Sequence, residues 1–262
     1  MAAGTIDPMH QFQIDPLLGG WNPAGTPFAI TNSTLWMAIV LIALWVFMLG
    51  GMKRQLIPGR WQAAVEGFTS FVDNMIDTSI GPNGRKFTPY IFTLFSFILF
   101  ANVLGLLPLS IVPGLHAFTV TSQFSVTGIL AILSFSIVLV VAFWKHGFRF
   151  FGLFVPHGTP APMIPLIFMV ELISFMVRPF SLGLRLFIAM IAGHILMDVF
   201  GSFIITGLHA GVGNSLIVSL PSFLLIAGIG ALEILIAAIQ AYVFALLTSL
   251  YLNDAINMHS AH

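Results

Sequence analysis

Eight side chains in the C-terminal half of this 262-residue chain have the types and spacing to move protons: Glu171, Arg178, Arg185, His194, Asp198, Glu233, Gln240 and Asp254. They lie in or at the ends of two long apolar stretches, 163–208 and 214–252. The stretch "SLGLRLFIAMIAGHILMDVF", Ser181 to Phe200, keeps an arginine, a histidine and an aspartate where the neighbouring residues suit a bilayer. A cation near the bilayer centre costs roughly 2.5 to 3.5 kcal/mol even on the lenient insertion scale, so Arg185 points to a use for its charge.

Helical spacing sorts these residues into faces. Glu171, Arg178 and Arg185 recur every seven residues, which is two turns and one face, and Glu233 and Gln240 repeat that interval. His194 follows Arg185 by nine residues, half a turn out of phase and roughly 13 Å along the axis, and Asp198 is one turn further on the same face. Glu171 is two such intervals before Arg185, roughly 21 Å along the axis. If the two stretches pack as an antiparallel hairpin, Arg185 meets Gln240, His194 meets Glu233 and Glu171 meets Asp254 in one register, because the residue numbers of each pair add to nearly the same value. That register puts the turn near residue 213, inside the glycine-rich "HAGVGN". His194, Asp198 and Glu233 then form an outer cluster, and Glu171, Arg178 and Asp254 an inner one.

The elements that must position these groups are membrane helices. At 58% hydrophobic and 7% charged residues, the chain is far from the roughly 25% charge of soluble domains. Nine Lys+Arg balance nine Asp+Glu, and no basic run exceeds two residues, so nucleic acid is not an expected partner. Residues 1–32 lack a signal-peptide or transit-peptide pattern and read as a retained polar N-terminus. Spans are expected at 33–50, 89–107 and 123–144. Between the first two, at 61–80, apolar Trp61, Ala64, Val65, Phe68, Val72, Met75 and Ile76 face away from Glu66, Asp73 and Asp77, the pattern of an amphipathic helix on the membrane surface or on a partner's soluble domain. Residues 108–122 read as a loop.

Seven of the nine basic residues, Lys53, Arg54, Arg60, Arg85, Lys86, Lys145 and Arg149, fall on one side by alternate counting. The positive-inside rule makes that side the cytoplasm, with the N-terminus outside and the C-terminus inside. The two C-terminal stretches would reach roughly 65 and 57 Å as helices, about twice the hydrocarbon core, so each either breaks in two or lies strongly tilted in a hairpin. Pro179 and Pro221 permit kinks without requiring a break.

Other readings leave identifiable marks. A haem site needs two facing histidines at one depth, and only His194 is mid-membrane; His116, His146, His157 and His209 fall in or near loops and read as solvated, with His209 and Asn214 weak candidates for an outer mouth. The absence of cysteine removes disulfides and thiolate metal sites, and no metal or cofactor is implied. A secondary proton-coupled transporter would show repeated halves, and residues 33–144 contain no counterpart of the C-terminal pair. A purely structural anchor would not need three register-matched polar pairs.

The segments "SLGLRLFIAMIAGHIL" and "EILIAAIQAYVFALLTSLYL", with the N-terminal "MHQFQIDPL", the "FANVLGLLPL" segment and the order of spans, resemble subunit a of the F-type rotary ATP synthases over nearly the whole chain. The resemblance implies an all-α integral membrane protein with three upright-type spans, one surface helix and a C-terminal hairpin of two long tilted helices. It implies a stator subunit in a bacterial inner membrane that is not catalytic alone. The implied partners are a ring of c subunits, subunit b of the peripheral stalk, the other ATP synthase subunits, lipid and protons. In that family Arg185 faces the ring carboxylates with Gln240 beside it, separating two half-channels. His194, Glu233 and Asp198 would serve the outer one, and Glu171, Asp254 and Arg178 the inner. His nine residues after the arginine and Glu seven before the glutamine is the arrangement of mitochondrial and related bacterial members. Some members carry asparagine four residues after the arginine; this chain has Ala189.

Overall fold

The computed structural model describes residues 31–52, 58–107, 119–154, 161–209 and 215–257, and all its long elements are helices. Helix α1 spans Asn32–Gly51, α2 Arg60–Ser79, α3 Thr88–Leu106, α4 Phe124–His146, α5 Ile164–His209 and α6 Leu220–Ile256. Short 3₁₀ segments cover Pro82–Phe87, Val120–Ser122, Gly147–Phe154 and Ala161–Met163, and one π-turn, Ser215–Ser219, leads into α6. Most of the expected polar N-terminus, most of the loop at 108–122, residues 210–214 of the "HAGVGN" turn, and Lys53, Arg54, His116 and His157 lie outside the described residues.

Five of the helices, all but α2, are long and apolar enough to cross a membrane. Large apolar side chains stand exposed along them, such as Ile42, Trp45, Ile129, Ile173, Phe223 and Leu235, as a hydrocarbon solvent allows and water would not. Of the two outcomes open for the C-terminal stretches, unbroken helices are observed: α5 has 46 residues and α6 37. Pro179 sits inside α5 and removes one backbone donor, yet the helix continues past it.

The described chain divides into two compact units, one of residues 1–46, 97–123 and 187–241 and the other of residues 47–96, 124–186 and 242–262. Within the second, α2 is fitted to the end of α1. Trp61 Nε1 donates to the Phe47 carbonyl at 2.9 Å, and Phe47 also meets Phe68 edge-on with ring centres 6.0 Å apart. Phe68 stacks on Phe95, and Phe71 contacts Phe95 and Tyr242. Val65, Val72, Met75 and Ile76 supply the buried face of α2, joined by Gln62; Trp61 and Ala64, read from the sequence as part of that face, remain exposed, as do Glu66, Asp73 and Asp77. Elsewhere in this unit, Tyr90 Oη donates to Ser134 Oγ at 2.8 Å, and Gly183 of α5 lets α4 approach so closely that a Cβ would lie 3.2 Å from the Thr127 carbonyl.

In the first unit α5 and α6 run antiparallel, because Gly207 lies against Ser219 while Gly193 lies against Glu233. Ser219 Oγ donates to the Ile204 carbonyl at 3.1 Å near the turn end of the pair. In the second unit, Pro179 and Leu182 of α5 share a small cavity with Tyr251 and Thr248 of α6, again in antiparallel order.

The close approach of α1 and α2 depends on the last residues of α1. A Cβ on Gly51 would overlap the Val65 side chain, and one on Gly50 would meet the Trp61 ring. Gly51→Leu is therefore expected to destabilise the protein by roughly 1–3 kcal/mol, the usual cost of overpacking. Denaturation in detergent would measure it, with Gly59→Ala, a site with open space around it, as the unaffected control.

Candidate functional site

Two groups of ionisable residues are assembled between α5 and α6, one in each unit. In the first unit His194 and Glu233 meet. His194 Nε2 is 3.9 Å from Glu233 Oε1, beyond hydrogen-bond distance, with the two residues only 8% and 1% exposed. Among the described residues neither Glu233 oxygen has a hydrogen-bond partner. A buried carboxyl in that condition is costly unless it is neutral or finds a partner.

The sequence explains the approach. Gly193 precedes His194 on α5, and a Cβ there would overlap the Glu233 carboxylate, so glycine is what admits the acid between the helices. Asp198, one turn beyond His194, is half-buried.

Two further residues complete this group and were not singled out from the sequence. Thr119, on the segment entering α4, has its hydroxyl within hydrogen-bond distance of His194 Nε2. Asn102 of α3 donates from Nδ2 to the Ala237 carbonyl of α6 at 3.2 Å and accepts from Thr121 Oγ1 at 2.6 Å. The signal was weak: Asn102 is a lone amide in an apolar run and Thr119 sits at the end of a loop, and threonines and asparagines in such places usually serve turns.

The second unit holds Arg178, Glu171 and Asp254. Arg178 Nη1 is 3.4 Å from Asp254 Oδ2, and Nη2 is 3.8 Å from Glu171 Oε1. The register had set Glu171 opposite Asp254, and the arginine stands as their common partner. Seven residues is a poor spacing for direct contact, roughly 10 Å of rise, but two long side chains leaning together cover it. The guanidinium also lies over the Phe175 and Tyr251 rings, 5.6 and 5.2 Å from their centroids. This planar cation uses its charge and its faces at once. Nearby, Lys145 Nζ donates to the Ile256 carbonyl at 2.9 Å and caps the C-terminal end of α6.

Arg185 belongs to the second unit and is exposed; among the described residues it has no ion-pair or hydrogen-bond partner. Gln240, half-buried, belongs to the first unit. Among the described residues no three His, Asp or Glu side chains come together as a metal site.

All-helical, apolar, and carrying ionisable groups paired between its longest helices, the chain is an integral membrane protein. It matches the ATP synthase A chain family over residues 33–253. It is 66% identical to the ATP synthase subunit a of Rhizorhabdus wittichii over 98% of each chain. It is 64% identical to that of Novosphingobium aromaticivorans, over 99% of this chain and 100% of the relative. With the more distant Parvibaculum lavamentivorans protein it shares 43% identity over 98% of this chain and 95% of the relative. The chain belongs to the ATP synthase A chain family, that is, to the bacterial subunits a of the F-type ATP synthase. Membership places it in the membrane apparatus of ATP synthesis and proton transport.

Gly193 yields a direct test of the acid–base pair. Gly193→Ala puts a methyl group where the Glu233 carboxylate lies, and is expected to lower proton-driven ATP synthesis in reconstituted vesicles at least tenfold. Gly67→Ala, at an open and exposed position of α2, is the control that should keep the wild-type rate.

Proposed function

We propose that this subunit is the stator of the ATP synthase proton channel, offering two offset half-channels to a rotating ring of c subunits and holding Arg185 between them. The observation that carries the proposal is the buried His194–Glu233 pair at 3.9 Å, an acid and a base set against each other between two membrane helices of a family member. The exposure of Arg185, which leaves its charge to something other than the described chain, agrees with it.

The mechanism follows from charge energetics. A ring carboxylate facing lipid must be protonated, because an ion there is too costly. Beside Arg185 an opposite charge at close range favours the ionised form, so the ring releases its proton on arriving there. A guanidinium remains charged at any physiological pH and cannot itself relay a proton, whereas a desolvated lysine could lose its own. Arg185 therefore both discharges the ring and blocks a leak between the half-channels. The family resemblance gives Gln240 the part of its polar partner.

Protons come in from the outside by His194, Glu233 and Asp198, ride nearly a full turn on the ring, and leave past Glu171 and Asp254 to the cytoplasm, with Arg178 holding that end open as a fixed cation. Each charge crossing supplies about 2.3 kcal/mol per 100 mV, which the rotor delivers to the catalytic sector. The helices α5 and α6, roughly 69 and 56 Å long at 1.5 Å per residue, lie strongly tilted so as to follow the ring surface. The N-terminus is outside, subunit b and the other stator subunits brace the remaining helices, and the bacterial inner membrane is the setting.

Arg185→Ala is expected to assemble normally, since removing a membrane charge is not itself destabilising, and to abolish ATP synthesis driven by an imposed proton gradient. Arg185→Lys should fail as well, because the ammonium can deprotonate and lacks the planar fork. Passive proton conduction through Arg185→Ala vesicles should equal or exceed that of wild type. Wild-type synthesis in Arg185→Ala would make this arginine structural and overturn the reading.

A further inference from the structure

The outer pair has a third member that the charge argument does not use. His194 Nε2 faces two groups at once, the Glu233 carboxylate 3.9 Å away and the Thr119 hydroxyl in hydrogen-bond contact. Resting on the reading of His194 and Glu233 as a proton path, we propose that Thr119 is the positioning residue that holds the His194 ring in place beside Glu233 through both protonation states.

The reason lies in what a hydroxyl can do that other groups cannot. When His194 is neutral with its proton on Nδ1, Nε2 carries a lone pair, and the Thr119 O–H donates to it. When Nε2 takes up a proton, the ring becomes an imidazolium with an N–H at that position, and the same hydroxyl turns about its C–O bond and accepts. One proton is gained, no heavy atom moves, and one hydrogen bond is kept in each state. An amide held by one end, a carbonyl or a carboxylate could serve only one of the two. The bond to Thr119 restrains rotation about χ2 in both states, so Nε2 keeps its place opposite the acid.

The surroundings are built to hold the hydroxyl there. Thr119 is 3% exposed, and among the described residues Nε2 is its side chain's hydrogen-bond partner. Its carbonyl accepts from Ser122 Oγ at 2.6 Å, tying its backbone to the 3₁₀ turn that follows. Gly105 of α3 faces it so closely that a Cβ there would overlap the Thr119 hydroxyl, much as Gly193 makes room for Glu233. Two glycines on two helices thus admit the two groups that meet Nε2. Among the described residues, Glu233 of α6 is the titratable group beside the ring, and Asp198 follows one turn along its own helix. Asn102 and Thr121 contribute uncharged donors and acceptors.

The test is the outer-pH dependence of ATP synthesis by the intact complex in vesicles, in Thr119→Val, Thr119→Ala and Thr119→Ser. A hydrogen bond to a charged donor is about twice as strong as a neutral one, so loss of the hydroxyl penalises the imidazolium more than the neutral ring. Thr119→Val is expected to lower the rate about tenfold and to move the outer-pH midpoint about one unit to the acid side. Thr119→Ser restores the wild-type midpoint with a rate within about threefold of wild type, because it keeps the hydroxyl. If the isosteric valine prevents assembly, Thr119→Ala, which adds nothing against Gly105, is read instead with the same expectation.

A wild-type midpoint in the variants without a hydroxyl would overturn the inference, and so would Thr119→Ser as defective as Thr119→Val, which would make shape the determinant. His194→Ala in the same vesicles separates the two levels. If it synthesises ATP at the wild-type rate, the proton-path reading falls; if it is inactive while Thr119→Val behaves as wild type, only the role of Thr119 falls.

Discussion

A polar group in hydrocarbon must find its partner inside the protein or lose several kcal/mol, and the first unit is arranged around one carboxyl for which no such partner is in hydrogen-bond reach among the described residues. Glu233 is 1% exposed. Its place requires that α5 and α6 run antiparallel at this level, that the facing residue of α5 be Gly193, and that His194 follow directly on the same helix. His194 in turn needs Thr119, Thr119 needs the space left by Gly105 on α3, and Asn102 three residues earlier ties α3 to the Ala237 carbonyl one turn beyond Glu233. Ordinary helix packing is insensitive to such detail, since Leu and Phe fill space in many ways. A buried acid is not, because its position relative to the base 3.9 Å away decides its energy.

The second unit applies the opposite principle. Arg178 is given everything a guanidinium can use: Asp254 on one side, Glu171 on the other, and the Phe175 and Tyr251 rings against its faces. A cation held this fully is fixed in place, and with Lys145 capping the last turn of α6 it fastens the end of that helix. Arg185, seven residues further along α5, is exposed with no such company among the described residues. Two arginines on one face of one helix thus stand in opposite surroundings, one clasped by carboxylates and rings and the other exposed.

The surface helix α2 belongs to a different economy, driven by aromatic packing rather than charge. Phe47, Trp61, Phe68, Phe71 and Phe95 form a chain of edge-on and stacked rings that ties α2 to the end of α1 and to α3. The charges of α2, Glu66, Asp73 and Asp77, stay on its exposed side, where Asp77 pairs with Arg85 at 3.7 Å.

Much of this was legible in the residues themselves. Length and hydropathy set the helical, membrane-embedded character, because a bilayer tolerates few other ways of closing backbone hydrogen bonds. The spacing of His194 and Glu233 on either side of a glycine-rich segment foretold their approach, because helical rise is constant and an antiparallel pair keeps one register. Other matters were decided only in three dimensions. Whether the C-terminal stretches break at Pro179 depends on local accommodation of one missing donor, which no propensity encodes, and α5 proved continuous. Arg178 standing between Glu171 and Asp254 depends on side-chain reach across an interval that spacing alone disfavours. Trp61 and Ala64 stayed exposed while Gln62 was buried, because the end of α1 and not the average amphipathic face sets what α2 covers. Thr119 and Asn102 were silent in the sequence for the plainest reason: their partners are 75 and 135 residues away, and a hydroxyl or an amide acquires its meaning only from the group that folding brings to it.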